Sequence, residues 1–360
     1  MKVTRLSINR FRNLSDISLE PSAGVNVIYG ENGQGKTNLL EAIWLFTGAR
    51  SFRGASPSDF IPFGSSRSVF SMAYSDLNRE NLTNITLGDK KEVLQNGVGL
   101  DSLSALSGSF CSVVFSPAHL NLIKGGPSER RKTLDSVIGQ IKPRYIAVCQ
   151  DYQKQLFQRN TLLKDIPFAS SLLDTLDIWD QSLAKTGALI TKTRKSFLER
   201  LKPFSDDFYN GISSGRESLS LSYSSTIDID GAISEETMLL LLKKNRAEDI
   251  RIGSTSVGPH RDDLLIDINA MSAKSFGSQG QQRSAVLALK LGECALIEQV
   301  TGQKPVVLLD DVMSELDDLR RDFLLHRLLE RQIFITCCDP KQVIDVAAAF
   351  KIEAGRLVAQ

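Results

Sequence analysis

The sequence predicts an α/β protein in which a parallel-sheet domain is interrupted by a mostly helical lobe. Three observations carry this. Apolar, strand-like runs occur near both ends of the chain, at Val25–Tyr29 and Val306–Leu309, with helical spacing after them. From Ser128 to about Lys202 no strand pattern occurs. At 360 residues, an interrupted sheet explains the length better than two sequential domains. The expected division is 1–124 plus 251–360 for the sheet domain and 125–250 for the inserted lobe.

Taken in order, Lys2–Phe11 alternates polar and apolar residues, as a half-buried strand does, and Val25–Tyr29 is an apolar strand ending at the glycine-rich turn Gly30–Gly35. Thr37–Phe46 places Leu39, Leu40, Ile43 and Trp44 on one helical face. Further strands fit Ser66–Tyr74, Leu82–Leu87 and Phe110–Phe115, the last stopped by Pro117. In the lobe, Ser128 reads as a helix cap and Pro143 opens a second helix through Lys164. A third helix, carrying Leu172, Leu176, Trp179, Leu183, Ile190, Phe197 and Leu201, is expected to end before Pro203. Leu219–Tyr223 and Thr226–Asp230 read as a short β excursion, followed by a helix at Glu235–Asn245. The mixed pattern then returns with a strand at Leu264–Ile268, a helix at Gln281–Val300, the Val306–Leu309 strand, a helix at Leu319–Arg331 and a strand at Ile333–Thr336.

Composition narrows the function classes. Forty-three basic residues against forty-two acidic give a formal net charge of +1, so a nucleic-acid role would rest on local patches. Five cysteines without C-x-x-C spacing and three scattered histidines argue against a disulfide framework and a zinc site. No apolar run reaches the roughly 18 residues of a membrane span, and the N-terminus lacks an apolar signal core, so the expected location is the cytoplasm.

Gly30-Glu31-Asn32-Gly33-Gln34-Gly35-Lys36-Thr37 matches G-x-x-x-x-G-K-[ST]. By average residue frequencies about one chain of this length in a hundred carries the bare string, so context decides; here a buried strand precedes it and an amphipathic helix follows. Glycines let backbone N–H groups converge on an anion, and the helix start adds roughly half a positive charge. Lys36 is then placed for the β/γ-phosphates and the Thr37 hydroxyl for Mg²⁺, which points to a nucleoside triphosphate, with Asn38 next in the loop. Val306–Leu309 ends in Asp310-Asp311. Such a strand is expected beside the phosphate strand, with Asp310 in the Mg²⁺ shell and Asp311, on the other side of the strand, polarising the attacking water. The bland reading of that acid pair is a capped strand end.

Phe276-Gly277-Ser278-Gln279-Gly280-Gln281-Gln282-Arg283 precedes a long helix, with Ser278 as cap and Gly280 leaving the backbone open to an anion. These residues resemble the signature turn of the ABC-type P-loop ATPases, and Ser314-Glu315-Leu316-Asp317 matches the turn that follows their acidic strand. The resemblance implies that the signature serine of one copy completes the γ-phosphate site of another. ATP would then be sandwiched in a homodimer, with Ser278, Gln279, Gly280 and Asp317 near the nucleotide. Within that superfamily "LSINRFRNL", "VVFSPAHLNLIKGGPSERRKTLD", "GPHRDDL" and "LLDDVMSELD" are similar to the RecF family of recombination mediators. That likeness implies DNA binding at gaps and single-strand/duplex junctions, RecR as partner, RecO and RecA in the pathway, and Arg12 near the nucleotide. An insertion of about 120 residues is far too short for the long coiled-coil arm of SMC-type ATPases.

The sequence departs from the ABC pattern in three places. No glutamine follows Phe115, no histidine follows Ile335-Thr336, and the acid pair is Asp-Asp rather than Asp-Glu, which shortens the presumed base by one methylene. Together they imply slow hydrolysis, suited to a switch rather than a motor; with the likeness to the RecF family the expectation is a weak, DNA-stimulated ATPase. A transporter's nucleotide-binding subunit, which needs that glutamine and histidine, is the alternative; a small-molecule kinase would have no use for the Ser278 turn. Basic runs that could meet DNA are Arg10-Phe11-Arg12, Arg130-Arg131-Lys132, Lys142/Arg144, Lys192-Thr193-Arg194-Lys195 and Lys243-Lys244-Arg246. For each run taken separately, a solvated or locally salt-bridged helix face is the favoured reading. For His260-Arg261-Asp262-Asp263 a structural ion-pair turn is the plain choice.

Overall fold

The computed structural model describes residues 1–343 and 345–358. The chain forms two compact units: Met1–Leu120, Phe204–Glu217 and Arg283 onward make the first, and Asn121–Pro203 with Ser218–Gln282 make the second. The expected lobe, 125–250, thus differs from the second unit, which reaches Gln282 and cedes 204–217 to the first.

In the first unit six strands form one sheet in the order Arg356–Val358, Val346–Glu353, Val25–Tyr29, Ile333–Cys337, Val306–Asp310, Ser112–Phe115. All neighbours are parallel except the terminal Val346–Glu353/Arg356–Val358 hairpin. Every residue of the Val306–Asp310, Ile333–Cys337 and Ser112–Phe115 strands is buried, as parallel strands covered on both faces require. The acidic strand does not lie beside the phosphate strand, as expected; Ile333–Cys337 runs between them. Strand order is decided by crossover connections, which no local pattern encodes.

A second six-stranded sheet, antiparallel, runs Ile17–Leu19, Lys2–Asn9, Arg67–Ser75, Glu80–Gly88, Glu92–Gln95, Val98–Leu100. Burial alternates along Arg67–Ser75 and Glu80–Gly88, the mark of one wet face. Its inner side packs Phe70 and Met72, with Phe11 and Phe60, against Leu39 and Ile43 of the Lys36–Leu45 helix and Phe46 just beyond it, in one core. Each such buried side chain contributes about 1.5–3 kcal/mol, so the helix that starts at Lys36 is firmly seated.

The second unit holds the helices Pro127–Ile141 and Pro143–Asp165, most of Leu176–Ser213, and Glu235–Lys244 and Arg246–Ile252. A three-stranded sheet, Met271–Ser272, Asp263–Ile268, Leu219–Ser224, completes it. Three local expectations are corrected. The first helix is capped by Gly126 with Pro127 at its first position, not by Ser128, because proline lacks the N–H that this position leaves unpaired anyway. Thr226–Asp230 is no strand: Ile229 and Ala232 make an isolated bridge around Asp230-Gly231, both at positive φ, so turn chemistry wins. The third helix passes through Pro203 to Ser213. An internal proline costs about 3 kcal/mol, and burial of Leu198, Leu201 and Tyr209 on that helix offsets it.

Candidate functional site

The phosphate loop is shaped by its glycines. Gly30 has φ 149° and a Cβ there would meet Ile352 O at 2.3 Å; Gly35 has φ 110°, with Leu14 Cδ2 at 2.5 Å. Lys36, the first residue of its helix, is buried, and its Nζ donates to Gly30 O at 2.7 Å and Glu31 O at 2.9 Å. The ammonium is thereby drawn back over the loop whose N–H groups would cradle an anion. The loop is braced from outside. Asn13 Nδ2 donates to Gly33 O at 3.0 Å, Asn38 Nδ2 donates to Asn13 Oδ1 at 2.7 Å, and Ala354 N donates to Gln34 Oε1 at 2.6 Å. Asn13, absent from the expected set, was detectable only as part of the Arg12-Asn13 element.

Arg12 is committed to Glu41 in the same helix: Nε donates to Oε2 at 2.6 Å and Nη2 to Oε1 at 3.1 Å. Its guanidinium also lies 5.3 Å from the centre of the Phe60 ring, and Glu41 is fully buried. Such a bidentate, desolvated pair fixes the N-terminal loop against the phosphate-loop helix.

Thr37 Oγ1 donates to Asp310 Oδ1 at 2.8 Å, and Thr336 Oγ1 donates to the same oxygen at 3.0 Å. Thr336, on the intervening strand, also accepts from Asp311 N at 2.9 Å. It thus bridges the gap that the strand order opens, a role with no signal in the sequence beyond its place at the end of a core strand. Burial raises the Asp310 carboxyl above its usual pKa, partly countered by the two hydroxyl bonds. A hydroxyl and a carboxylate oxygen are hard donors of the kind Mg²⁺ takes, completed by phosphate and water, so these residues fit the metal without a cluster of ligands. No group of three or more His, Cys, Asp or Glu side chains suited to a metal exists among the described residues. Asp311 turns away: it is exposed, at φ 52°, with Ser314 Oγ donating to its carbonyl at 3.0 Å. Where a histidine was missed, Cys338 lies on the loop's rim, its Sγ 3.4 Å from Asn32 Oδ1.

The Ser278–Gly280 turn belongs to the second unit. Ser278 Oγ accepts from Gln281 N at 3.2 Å while Gln281 Oε1 accepts from Ser278 N at 2.8 Å, a capping box opening the Gln279–Thr301 helix. Ser278 and Gln279 are exposed. Asp317 caps the Asp318–Leu328 helix, its Oδ1 accepting from Arg320 N at 2.9 Å.

The basic runs split. Arg130 is buried in a fork with Asp263, Arg194 is buried against Asp135, and Arg246 bonds Asp177 and Asp180. Arg10, Lys142, Arg144, Lys192, Lys243 and Lys244 stay exposed. His260-Arg261-Asp262-Asp263 is a structural ion-pair turn. His260 Nδ1 pairs with Tyr152 OH at 2.6 Å, Asp262 accepts from Thr191 at 3.0 Å and Tyr223 at 2.8 Å, and Asp263 holds Arg130.

The model of an AAA domain matches residues 5–206. Over 368 residues the chain is 40% identical to the DNA replication and repair protein RecF of Ruminiclostridium cellulolyticum, covering 99% of each. Identity to the protein of that name from Caldanaerobacter subterraneus is 40% over 365 residues, again with 99% of each covered. Among solved structures, the recombination mediator protein RecF with ATP in the RecFOR pathway superimposes with a TM-score of 0.92 at 39% identity, covering 99% of this chain and 97% of that one. An Smc head domain from Pyrococcus furiosus, at 15% identity and a TM-score of 0.55 over 99% and 96% of the two chains, shares the fold. With the phosphate loop, the acidic strand and the Ser278 turn all present along its length, the chain belongs to the RecF family of DNA replication and repair proteins.

Proposed function

We propose that this chain is an ATP-gated DNA-binding protein of recombinational gap repair in the cytoplasm. The observation that carries the reading is the convergence of Thr37 and Asp310, 2.8 Å apart, at the mouth of a braced phosphate loop. Gly30–Asn38 would hold the triphosphate, Lys36 its terminal phosphates, and Thr37 with Asp310 a Mg²⁺ ion. When bound there, the metal neutralises charge on the phosphates. Asp311 is free of the Asp310–Thr37 pair and exposed, the disposition of a group that polarises a water molecule. The helix start Ser278, Gln279 and Gly280, its first two residues exposed, would be lent to the triphosphate held by a second copy, so that ATP closes a homodimer, with Asp317 also assigned to the nucleotide. Arg12 acts by bracing the loop through Glu41.

Hydrolysis is slow and reopens the dimer. DNA, at gaps and single-strand/duplex junctions, is met by the exposed lysines and arginines rather than by Arg130, Arg194 or Arg246, and the bound dimer works with RecR and RecO to support RecA loading. Family membership sets aside a transporter subunit. The test is light scattering of Asp311→Asn with ATP and gapped DNA at two salt concentrations. A persistent, salt-sensitive dimer on DNA is expected, and a variant that stays monomeric with ATP would show the sandwich reading to be wrong.

A further inference from the structure

The turn Gly258–Arg261 of the second unit gathers positive charge that no carboxylate answers. Its backbone is fixed: Arg261 N donates to Gly258 O at 2.9 Å, Gly258 N to Thr226 Oγ1 at 2.8 Å, and Arg194 Nη1 to Pro259 O at 2.7 Å. The Arg261 side chain is held by a carbonyl, Nε and Nη2 donating to Thr255 O at 3.3 and 3.1 Å. Arg131, on the Pro127–Ile141 helix, is held the same way, its Nη1 donating to Asp262 O at 2.6 Å. Both guanidiniums bear on His260, whose pKa is lowered first by burial and then by the charges of Arg261 and Arg131. The two nearest carboxylates are engaged elsewhere. Asp262 is buried and accepts from Thr191 at 3.0 Å, Tyr223 at 2.8 Å and Thr226 N at 3.2 Å, while Asp263 holds Arg130. Among the described residues no ion pair closes on Arg131 or Arg261.

We infer that Arg131 and Arg261 form a two-guanidinium seat for a backbone phosphate of bound DNA. Its role rests on the DNA-binding reading proposed above, and neither residue is the buried, acid-paired member of a basic run. Each guanidinium carries five N–H donors in a fixed fork, and the carbonyls occupy only part of each, so the rest can meet a phosphate. Stability does not explain the arrangement: burial and the neighbouring Arg194 charge lower the Arg131 pKa from its ordinary value, so a cation is seated there against its own electrostatics. An anion supplied from outside removes that cost. Carbonyls fix the direction of both side chains beforehand, which spares the entropy that a free surface lysine loses when it closes on a phosphate. A contact of this kind sets the position of the duplex without reading its sequence.

Titration of fluorescent gapped DNA with the full chain and ATP, repeated over a range of salt concentrations, tests this. Arg131→Ala and Arg261→Ala each weaken binding about tenfold, the scale of one charge-assisted contact. Each also lowers the slope of log affinity against log salt by about 1, equally for two unrelated sequences. Arg261→Lys recovers the slope with its charge but only part of the affinity, because an ammonium makes no fork. Both alanine variants still dimerise with ATP by light scattering; if dimerisation is lost along with DNA binding, the pair belongs to the dimer and the assignment is wrong. Should Arg131→Ala melt early, Arg261→Ala, which alters an exposed side chain, carries the test alone. Melting with inorganic phosphate separates a free anion from the DNA backbone. A phosphate-dependent rise that Arg261→Ala abolishes, with DNA binding unchanged, gives the seat to a free anion and overturns the assignment. If the unaltered chain with ATP does not bind gapped DNA at low salt, the proposed function falls and the seat with it. If it binds and both variants keep its affinity and slope, the seat alone is overturned.

Discussion

At the phosphate loop of the first unit, charged and polar groups converge without cancelling. Lys36 is held by two carbonyls, Asp310 by two hydroxyls, and no oppositely charged side chain closes on either in the contacts described above. In the second unit the same residue types close on each other. Arg159, fully buried, donates to Asp180 at 2.6 Å and to Asp249 and Thr255 at 2.8 Å each, while Arg194 pairs with Asp135 in the same unit. The contrast separates a site from a scaffold: charge left on neutral partners is available to a ligand, whereas charge matched in pairs is spent on architecture.

The largest expected effect breaks the scaffold side. Arg159→Ala leaves buried Asp249 without its cation and Asp180 with Arg246 alone, and lowers stability by about 3–5 kcal/mol, read as an early melting transition by calorimetry. At temperatures where the variant is still folded, ATP binding should persist, and its loss there would mean that the two regions are not separable. Next, Lys36→Ala removes the charge proposed to meet the phosphates and is expected to weaken ATP binding by about 3 kcal/mol with little change in melting, as titration calorimetry would show. An equal loss of stability would place Lys36 with the scaffold.

A pH series sharpens the comparison further. Burial lowers His260 from its ordinary 6.5 to about 4. Between those values the unfolded chain takes up a proton that the folded one refuses, so stability present above pH 6.5 is lost as pH falls towards 4, by up to about 3 kcal/mol. His260→Asn should remove that slope, measured as the difference in melting temperature between pH 7 and pH 5. A slope unchanged by the substitution would mean the ring is protonated in the fold. The smallest effect is Ser278→Ala, which loses the capping bond and about 1 kcal/mol of helix stability; a larger drop in melting would show this turn to be architectural too.

Much of the site was legible because its chemistry is local. The phosphate loop, the strand before it and the helix after it occupy consecutive residues, and the observed Val25–Tyr29 strand coincides with the expected one. Ser278 was legible for the same reason: a capping box is written within four residues. What stayed hidden depends on contacts far apart in sequence. The insertion of Ile333–Cys337 between the two key strands, and hence the part played by Thr336, is a matter of connection order rather than pattern. The Val346–Glu353 strand went unseen because its run of alanines has weak strand preference, yet it pairs directly with Val25–Tyr29. That Arg130 and Arg194 are the buried, paired members of their runs stayed hidden, because a basic run does not announce which member has a buried carboxylate waiting.

The strand that leads into the phosphate loop is flanked on both sides by segments from the far end of the chain, Ile333–Cys337 and Val346–Glu353. During synthesis residues 30–37 therefore emerge long before these neighbours exist, and the second unit's residues emerge in between. A nascent chain has no competent nucleotide pocket, and a product truncated after the second unit would leave Val25–Tyr29 with open edges prone to aggregation. Nucleotide capture is in this way deferred until translation is nearly finished.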